Sequence, residues 1–350
     1  MKRKLLLFLT LITSILVYGQ EVIFNESNVN HTSGLAIFEN QLYIAGFFSS
    51  NIYKVNLSSQ NENPIIILEG IDRPSDIEIS EGILYISSNP GNTDSDKIIK
   101  LDLNETNPNP EEIVSIPNPD GITIYNNKIY ASSGTDIFTI DLSTTNPSPV
   151  LFLEDVTLSS ATNGICIYNN SLYATNNAIG ELVKYNLNSS TPSREIIFNN
   201  FEGRGLTVRN NKIYSTGDSP TKIFEIDPIN EIFTEIAQPN IPTGWDIITN
   251  SNSIFVSNLE GGEVLKFDFA NLSVENFTNK SLNLYPNPTS DFIEFSEIFQ
   301  NSEIVIYDLN GRIIKKAKLK NTNKLNISDL QSGIYIIQKD RKRIGKIIKN

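Results

Sequence analysis

The chain has 350 residues with one Cys, one His and one Trp, which excludes a disulfide framework and any multi-histidine metal centre. Its net charge of −12 is unevenly spread: residues 1–19 hold three basic and no acidic side chains, residues 280–350 thirteen basic and seven acidic, and residues 20–279 12 basic against 33 acidic. So acidic a body repels phosphate backbones and anionic lipid, which excludes nucleic acid and membrane surfaces as its partners.

The N-terminus reads MKRKLLLFLTLITSILVYGQ, a basic head followed by an apolar run from Leu5 to Val17 and a small Gly19. That layout predicts a secretory signal peptide over residues 1–19, cut to leave Gln20 first. The apolar run is thirteen residues long, short of the ~20 that a membrane helix needs, so no transmembrane span is expected. No Cys follows it, which removes the lipid-anchored form of the signal.

From residue 31 a pattern repeats. Aligning on an aromatic preceded by Leu or Ile gives the anchors Tyr43, Tyr85, Tyr130, Tyr173, Tyr214 and Phe255, spaced 42, 45, 43, 41 and 41 residues apart. Each copy opens with alternating apolar residues, such as Ile122 and Ile124, and turns through Asn-Asn, Glu-Asn or Glu-Gly into a second strand. A third strand (NIYKVNL, KIIKLDL, DIFTIDL) and a weaker fourth (PIIIL, EEIVSI, PVLFL) follow. Four short strands per copy without helical periodicity predict an all-β chain with a six-bladed β-propeller over residues 20–278. A solenoid would need polar capping repeats, and the first and last copies look like the others. Two spare strands, at 21–25 and 273–278, compete for one outer place. The first is the expected latch, with 273–278 joining the same blade or leading into the linker.

Copies open on steps such as Pro119-Asp120-Gly121 and Thr162-Asn163-Gly164, before an Ile-x-Ile strand and a Leu-Tyr pair. In this, residues 31–269 resemble the NHL-type and gluconolactonase (regucalcin)-like propellers. In a propeller the loops leading into the inner strands meet at one mouth of the central channel. Ten residues before each anchor stand Ser33, Ser75, Asp120, Asn163, Arg204 and Trp245; one place later, four copies have Gly and two have Asp76 and Asp246. The reading is a ligand site at the channel mouth built from Asp76, Asp120, Asn163, Arg204, Trp245 and Asp246.

The gluconolactonase-like resemblance implies a divalent metal, calcium or magnesium, held by Asp120 and Asn163. Two departures stand against it: His31-Thr32-Ser33-Gly34 lacks the first-blade Glu of that family, and Arg204 brings a cation. No cofactor is therefore expected, with the metal kept as the alternative. Asn92-Thr93-Asp94-Ser95-Asp96 reads as a solvated acidic loop rather than a calcium loop, because the Gly and distal Glu are missing. His31 and Ser33 are expected to face solvent, and Cys166, inside the apolar GICIY, to be a packed core thiol.

From Leu282 onward short alternating strands are separated by Pro-Asn-Pro, Asn-Gly and Ser-Gly turns, which predicts a small Ig-like β-sandwich over residues 279–350. Tyr285-Pro286-Asn287-Pro288, Tyr307-Asp308-Leu309-Asn310-Gly311-Arg312, Ser332-Gly333-Ile334-Tyr335 and a terminal Lys346-Ile347-Ile348-Lys349 closely resemble the type A C-terminal sorting domain of the type IX secretion system. The resemblance implies recognition by the outer-membrane translocon and sortase machinery, removal of the tail, and a secreted or cell-surface product. Two functions stay open: a non-catalytic binding propeller for a small-molecule, glycan or protein ligand, and a metal-dependent lactonase-like hydrolase or lyase. The missing first-blade Glu favours binding.

Overall fold

A computed structural model describes residues 20–272 and 284–350, apart from 27–28, 30, 60–62, 92–94, 156, 159–163, 218–219, 300–301, 309–311 and 340–341. The predicted signal peptide, the spare strand at 273–278, Asn163 and Gly311 lie outside the described residues. The chain divides into two compact units, Met1–Leu272 and Ser273–Asn350.

The first unit is a six-bladed propeller made of four-stranded antiparallel sheets. Blade two shows the plan, with Pro74–Ser80, Ile83–Ser88, Lys97–Asp102 and Glu111–Ser115 side by side in chain order. Five blades begin with a hairpin whose two turn residues both have positive φ: Glu39-Asn40, Glu81-Gly82, Asn126-Asn127, Asn169-Asn170 and Asn210-Asn211. That is the type I′ turn, whose left-handed backbone Asn and Gly tolerate best. Blade six turns instead through Asn250, whose Oδ1 accepts the N–H groups of Asn252 and Ser253 at 2.9 and 2.8 Å.

Blade six consists of Gly244–Thr249, Ser253–Asn258 and Glu263–Asp268, and its outer strand is Gln20–Asn25 from the other end of the unit, paired antiparallel with Glu263–Asp268. The N-terminal strand is thus the latch. The anchor aromatics explain why the repeat is visible, since each packs into the core of the following blade. Tyr43 lies with Ile77, Leu84 and Ile86, Tyr85 with Ile122 and Ile129, and Phe255 with Leu35, Leu42 and Ile44 of blade one. Burying such a side chain contributes about 1.5–3 kcal/mol, so the ring is held by the same contact at every joint.

In the second unit, Phe292–Phe299 pairs with Thr322–Asn326, and a second sheet runs in the order Ile313–Leu319, Ser302–Tyr307, Gly333–Lys339, Lys342–Lys349. Ile293, Phe295, Ile304, Ile306, Leu325 and Ile337 form one buried core between the two sheets, a small β-sandwich.

Candidate functional site

The inner strands of the ring slip register near their starts, between Thr32 and Leu35, Pro74 and Asp76, Pro119 and Ile122, Gly203 and Leu206, and Gly244 and Ile247. A bulge leaves backbone groups unpaired and re-aims side chains. A hydroxyl two residues after the anchor takes up those groups. Ser87 Oγ accepts the Asp76 N–H at 2.9 Å and donates to the Asp120 carbonyl at 2.7 Å. Thr216 does the same between Gly205 (3.1 Å) and Trp245 (3.3 Å), and Thr175 donates to the Arg204 carbonyl at 2.7 Å. Blade one has Ala45 in that place, and Ser33 provides the hydroxyl, donating to the Pro74 carbonyl at 2.6 Å.

One residue on, the Gly positions let neighbouring backbones touch. A Cβ on Gly34 would stand 2.5 Å from the Ile77 nitrogen, and one on Gly205 2.7 Å from the Asp246 Cα. At the two Asp positions the carboxylate itself bridges the blades. Asp76 Oδ2 accepts the Ile122 N–H at 2.8 Å, and Asp246 Oδ2 accepts the Leu35 N–H at 2.8 Å. These residues are therefore structural links as well as channel residues.

At the mouth, Asp76, Asp120, Trp245 and Asp246 line one narrow cleft with Ser75 and Gly121. The Arg204 guanidinium lies over the Trp245 ring, 4.8 Å from its centre, a cation–π contact. Asp120 accepts a hydrogen bond from Asn89 Nδ2 at 3.1 Å. The buried Ser75 hydroxyl in the same cleft has no hydrogen-bond partner. Five of the six residues read from the sequence come together here, while Asn163 lies outside the described residues. Burial pushes the Asp120 carboxyl up to about 7 against the opposing pull of Asn89. Burial raises Asp76 and Asp246 as well, and the repulsion from Asp246 adds to it at Asp76.

Below the mouth the channel holds a cavity of about 310 Å³. Glu78, Thr123, Cys166, Thr207 and Ile248 line it, together with Asp76 and Asp246. Burial, with the charge of Asp246 adding to it, pushes Glu78 up to about 8. Glu78 stands inside the strand, beyond the loop positions ten and nine before each anchor that mark the mouth. At seven before, the copies read Ala36, Glu78, Thr123, Cys166, Thr207 and Ile248, with Glu78 the only charge.

Two expectations need correction. Ser33 does not face solvent: it is fully buried as the blade-one hydroxyl, and its neighbour His31 is half-buried edge-on to Phe48 with ring centres 4.2 Å apart. Asp96 is not solvated either. It is fully buried and accepts the Asn118 N–H at 2.9 Å, tying the blade-two loop to the start of blade three. Cys166 is a buried free thiol.

Of the two donors that the resemblance implies for a divalent metal, Asn163 lies outside the described residues and Asp120 is poorly placed to serve. Asp120 is already engaged by the Asn89 amide. Ser33 bonds to backbone, and Arg204 brings a positive charge to the same mouth. Among the described residues no three His, Cys, Asp or Glu side chains stand in a metal-binding group.

In the second unit the sorting-motif residues, far apart in sequence, form one structure. Asn287, between Pro286 and Pro288, accepts the Ile348 N–H at 2.8 Å and donates to the Lys346 carbonyl at 2.9 Å. Thr289 pairs with the same strand, its N–H bonded to the Ile348 carbonyl at 2.9 Å. Tyr285 pairs with Glu294, Gly333 opens the strand that pairs with Lys349, and Lys346 is exposed.

These features define an all-β protein, a six-bladed propeller followed along the chain by a small sandwich. Residues 283–350 match the family described as the secretion system C-terminal sorting domain, so the tail is a type IX sorting domain and the chain is exported to the cell surface or secreted. No helix among the described residues is long and apolar enough to cross a membrane. No curated protein sequence matches the chain. Among solved structures, a gluconolactonase from Xanthomonas campestris is 10% identical with a TM-score of 0.58, covering 71% of this chain and 88% of that one. A calcium-binding regucalcin from Agrobacterium tumefaciens is 12% identical at 0.56, covering 70% and 92%. An auxiliary nutrient binding protein from Bacteroides thetaiotaomicron is 13% identical at 0.56, covering 68% of each chain. At these identities the likeness is one of fold.

Proposed function

We propose that the ring is an exported, non-catalytic binding module whose channel mouth grips a polar ring-bearing ligand, with a carboxylated sugar as the class that fits best. The observation that carries this reading is the Arg204–Trp245 stack beside the cleft of Asp76, Asp120 and Asp246. An aromatic face for a sugar ring, a cation for a carboxylate and acceptors for hydroxyls stand together there. The unpartnered Ser75 hydroxyl adds a further donor. Fold alone does not choose between binding and catalysis, since relatives of this shape include a gluconolactonase and a nutrient binding protein. The donor set at the mouth favours binding over a metal-dependent lactonase or lyase.

Trp245 is the only Trp, so tryptophan emission reports on the mouth alone. Titration with glucuronate, galacturonate and their oligomers is expected to change that emission saturably, and Arg204→Ala to weaken the effect by about tenfold or more. A flat response to charged and neutral glycans alike would oppose the reading. Lactone hydrolysis that needs calcium and disappears in Asp120→Ala would replace binding by catalysis. Recognition of the tail by translocon and sortase components belongs to the same proposal. It is tested by capture of those components with the isolated tail sequence fused to an unrelated cargo.

A further inference from the structure

The channel interior is a different environment from its mouth. At about 310 Å³ the cavity has room for on the order of ten waters at ~30 Å³ each, and it falls at the lower end of the range of small-molecule pockets. Among the described residues, three carboxylates face it and no Lys, Arg or His lines it. Asp76 and Asp246 are engaged by N–H groups of the next blade. Glu78 is not: among the described residues its carboxylate has no hydrogen-bond or ion-pair partner. Thr207, only 8% exposed, also has no partner for its hydroxyl among the described residues, and the same holds for Thr123 on the next blade round from Glu78.

We propose that this inner chamber is a second, separate binding site, taking a small organic ammonium ion, with the Glu78 carboxylate as counter-charge and the Thr123 and Thr207 hydroxyls as acceptors. Ammonium N–H groups match one carboxylate and two hydroxyl oxygens, and the apolar Ile248 and Cys166 suit the carbon part. A divalent metal would call for six or more oxygen ligands, and once Glu78 is ionised a neutral ligand would leave its buried charge uncompensated. Glu78 lies within electrostatic reach of Cys166, Asp76 and Asp246. All three are acidic groups, so among the described residues nothing facing it already provides the positive charge.

The test is isothermal titration of the full mature chain with n-butylammonium chloride at about pH 9, where alkylammonium is still charged and Glu78, near 8, is ionised. Saturable one-to-one binding is expected, with none for the neutral n-butanol. Glu78→Gln should weaken it by about tenfold or more, and Thr207→Val by about threefold to tenfold. Should Glu78→Gln fail to fold, the butanol comparison and Thr207→Val decide the matter. Arg204→Ala should leave ammonium binding unchanged while impairing the mouth, which separates this site from the one above. No saturable uptake by the wild type, equal uptake by Glu78→Gln, or loss in Arg204→Ala would overturn the proposal.

Discussion

The Asp246 carboxylate accepts the Leu35 backbone N–H at 2.8 Å and so joins the last blade to the first across 211 residues of chain. Asp76 makes the equivalent link from blade two to Ile122 of blade three. Replacing Asp246 by Ala leaves a buried donor without a partner, a loss of about 1–3 kcal/mol. Asp246→Asn keeps an acceptor and should lose less. Urea unfolding of both variants checks this, and equal losses would mean that the carboxylate acts through packing rather than through the Leu35 N–H.

A second joint lies at the latch. Phe24, 2% exposed, sits in the Gln20–Asn25 strand and packs with Leu35, Leu42 and Tyr53 of blade one, its ring 5.2 Å from that of Tyr53. Phe24→Ala should cost about 3–5 kcal/mol. Deleting residues 20–25 should cost more, because it also bares the edge of Glu263–Asp268. Thermal unfolding reads both, and an unchanged midpoint after the deletion would remove the latch from the account of ring closure.

These joints also mark what was legible in the sequence. The blades were, because Tyr43 or Phe255 has to fill the same gap at every joint and therefore recurs at a fixed interval. The Gly and Asp alternatives before Leu35-type positions point, in sequence, to a ligand site. Their other cause is how closely a neighbouring backbone approaches, as at Gly34 against Ile77, and no single strand records that distance. Ser33 misled for a similar reason. Its hydroxyl replaces the one missing at Ala45, twelve residues away, so its role shows only when the two positions are read as a pair. Glu78 stayed hidden because it looks like an ordinary strand residue until six inner strands close around a cavity.

The buried acids set the pH response of the ring. Glu78 rises from 4.5 to about 8 and Asp120 from 3.8 to about 7 on folding. The folded state therefore holds more protons than the unfolded chain between about pH 4.5 and 8, and stability falls as pH rises through that window. The ring should melt at a higher temperature at pH 6 than at pH 9. Glu78→Gln should gain stability at pH 9, gain little at pH 5, and flatten the slope between them. Parallel melting profiles for the variant and the wild type across this range would show that Glu78 does not carry the effect.

The tail yields the last prediction. Asn287 joins the Pro-Asn-Pro turn to the final strand through Ile348 and Lys346, and Thr289 joins it again through Ile348 and Asn350. The turn and the basic end, at opposite ends of the matched family region, thus form one surface, and either alone is incomplete. Asn287→Ala leaves the Ile348 N–H without its side-chain acceptor and should disturb that surface without emptying the core around Phe295 and Ile337. Deleting residues 346–350 removes its other half. Both changes are expected to hold the protein in the periplasm with its tail attached. The unmodified chain should appear outside the cell beginning at Gln20 and lacking residues 283–350. Cell fractionation with mass spectrometry of the exported species checks each point. Normal export of Asn287→Ala would separate the turn from recognition, and an exported wild type still ending in Asn350 would count against removal of the tail.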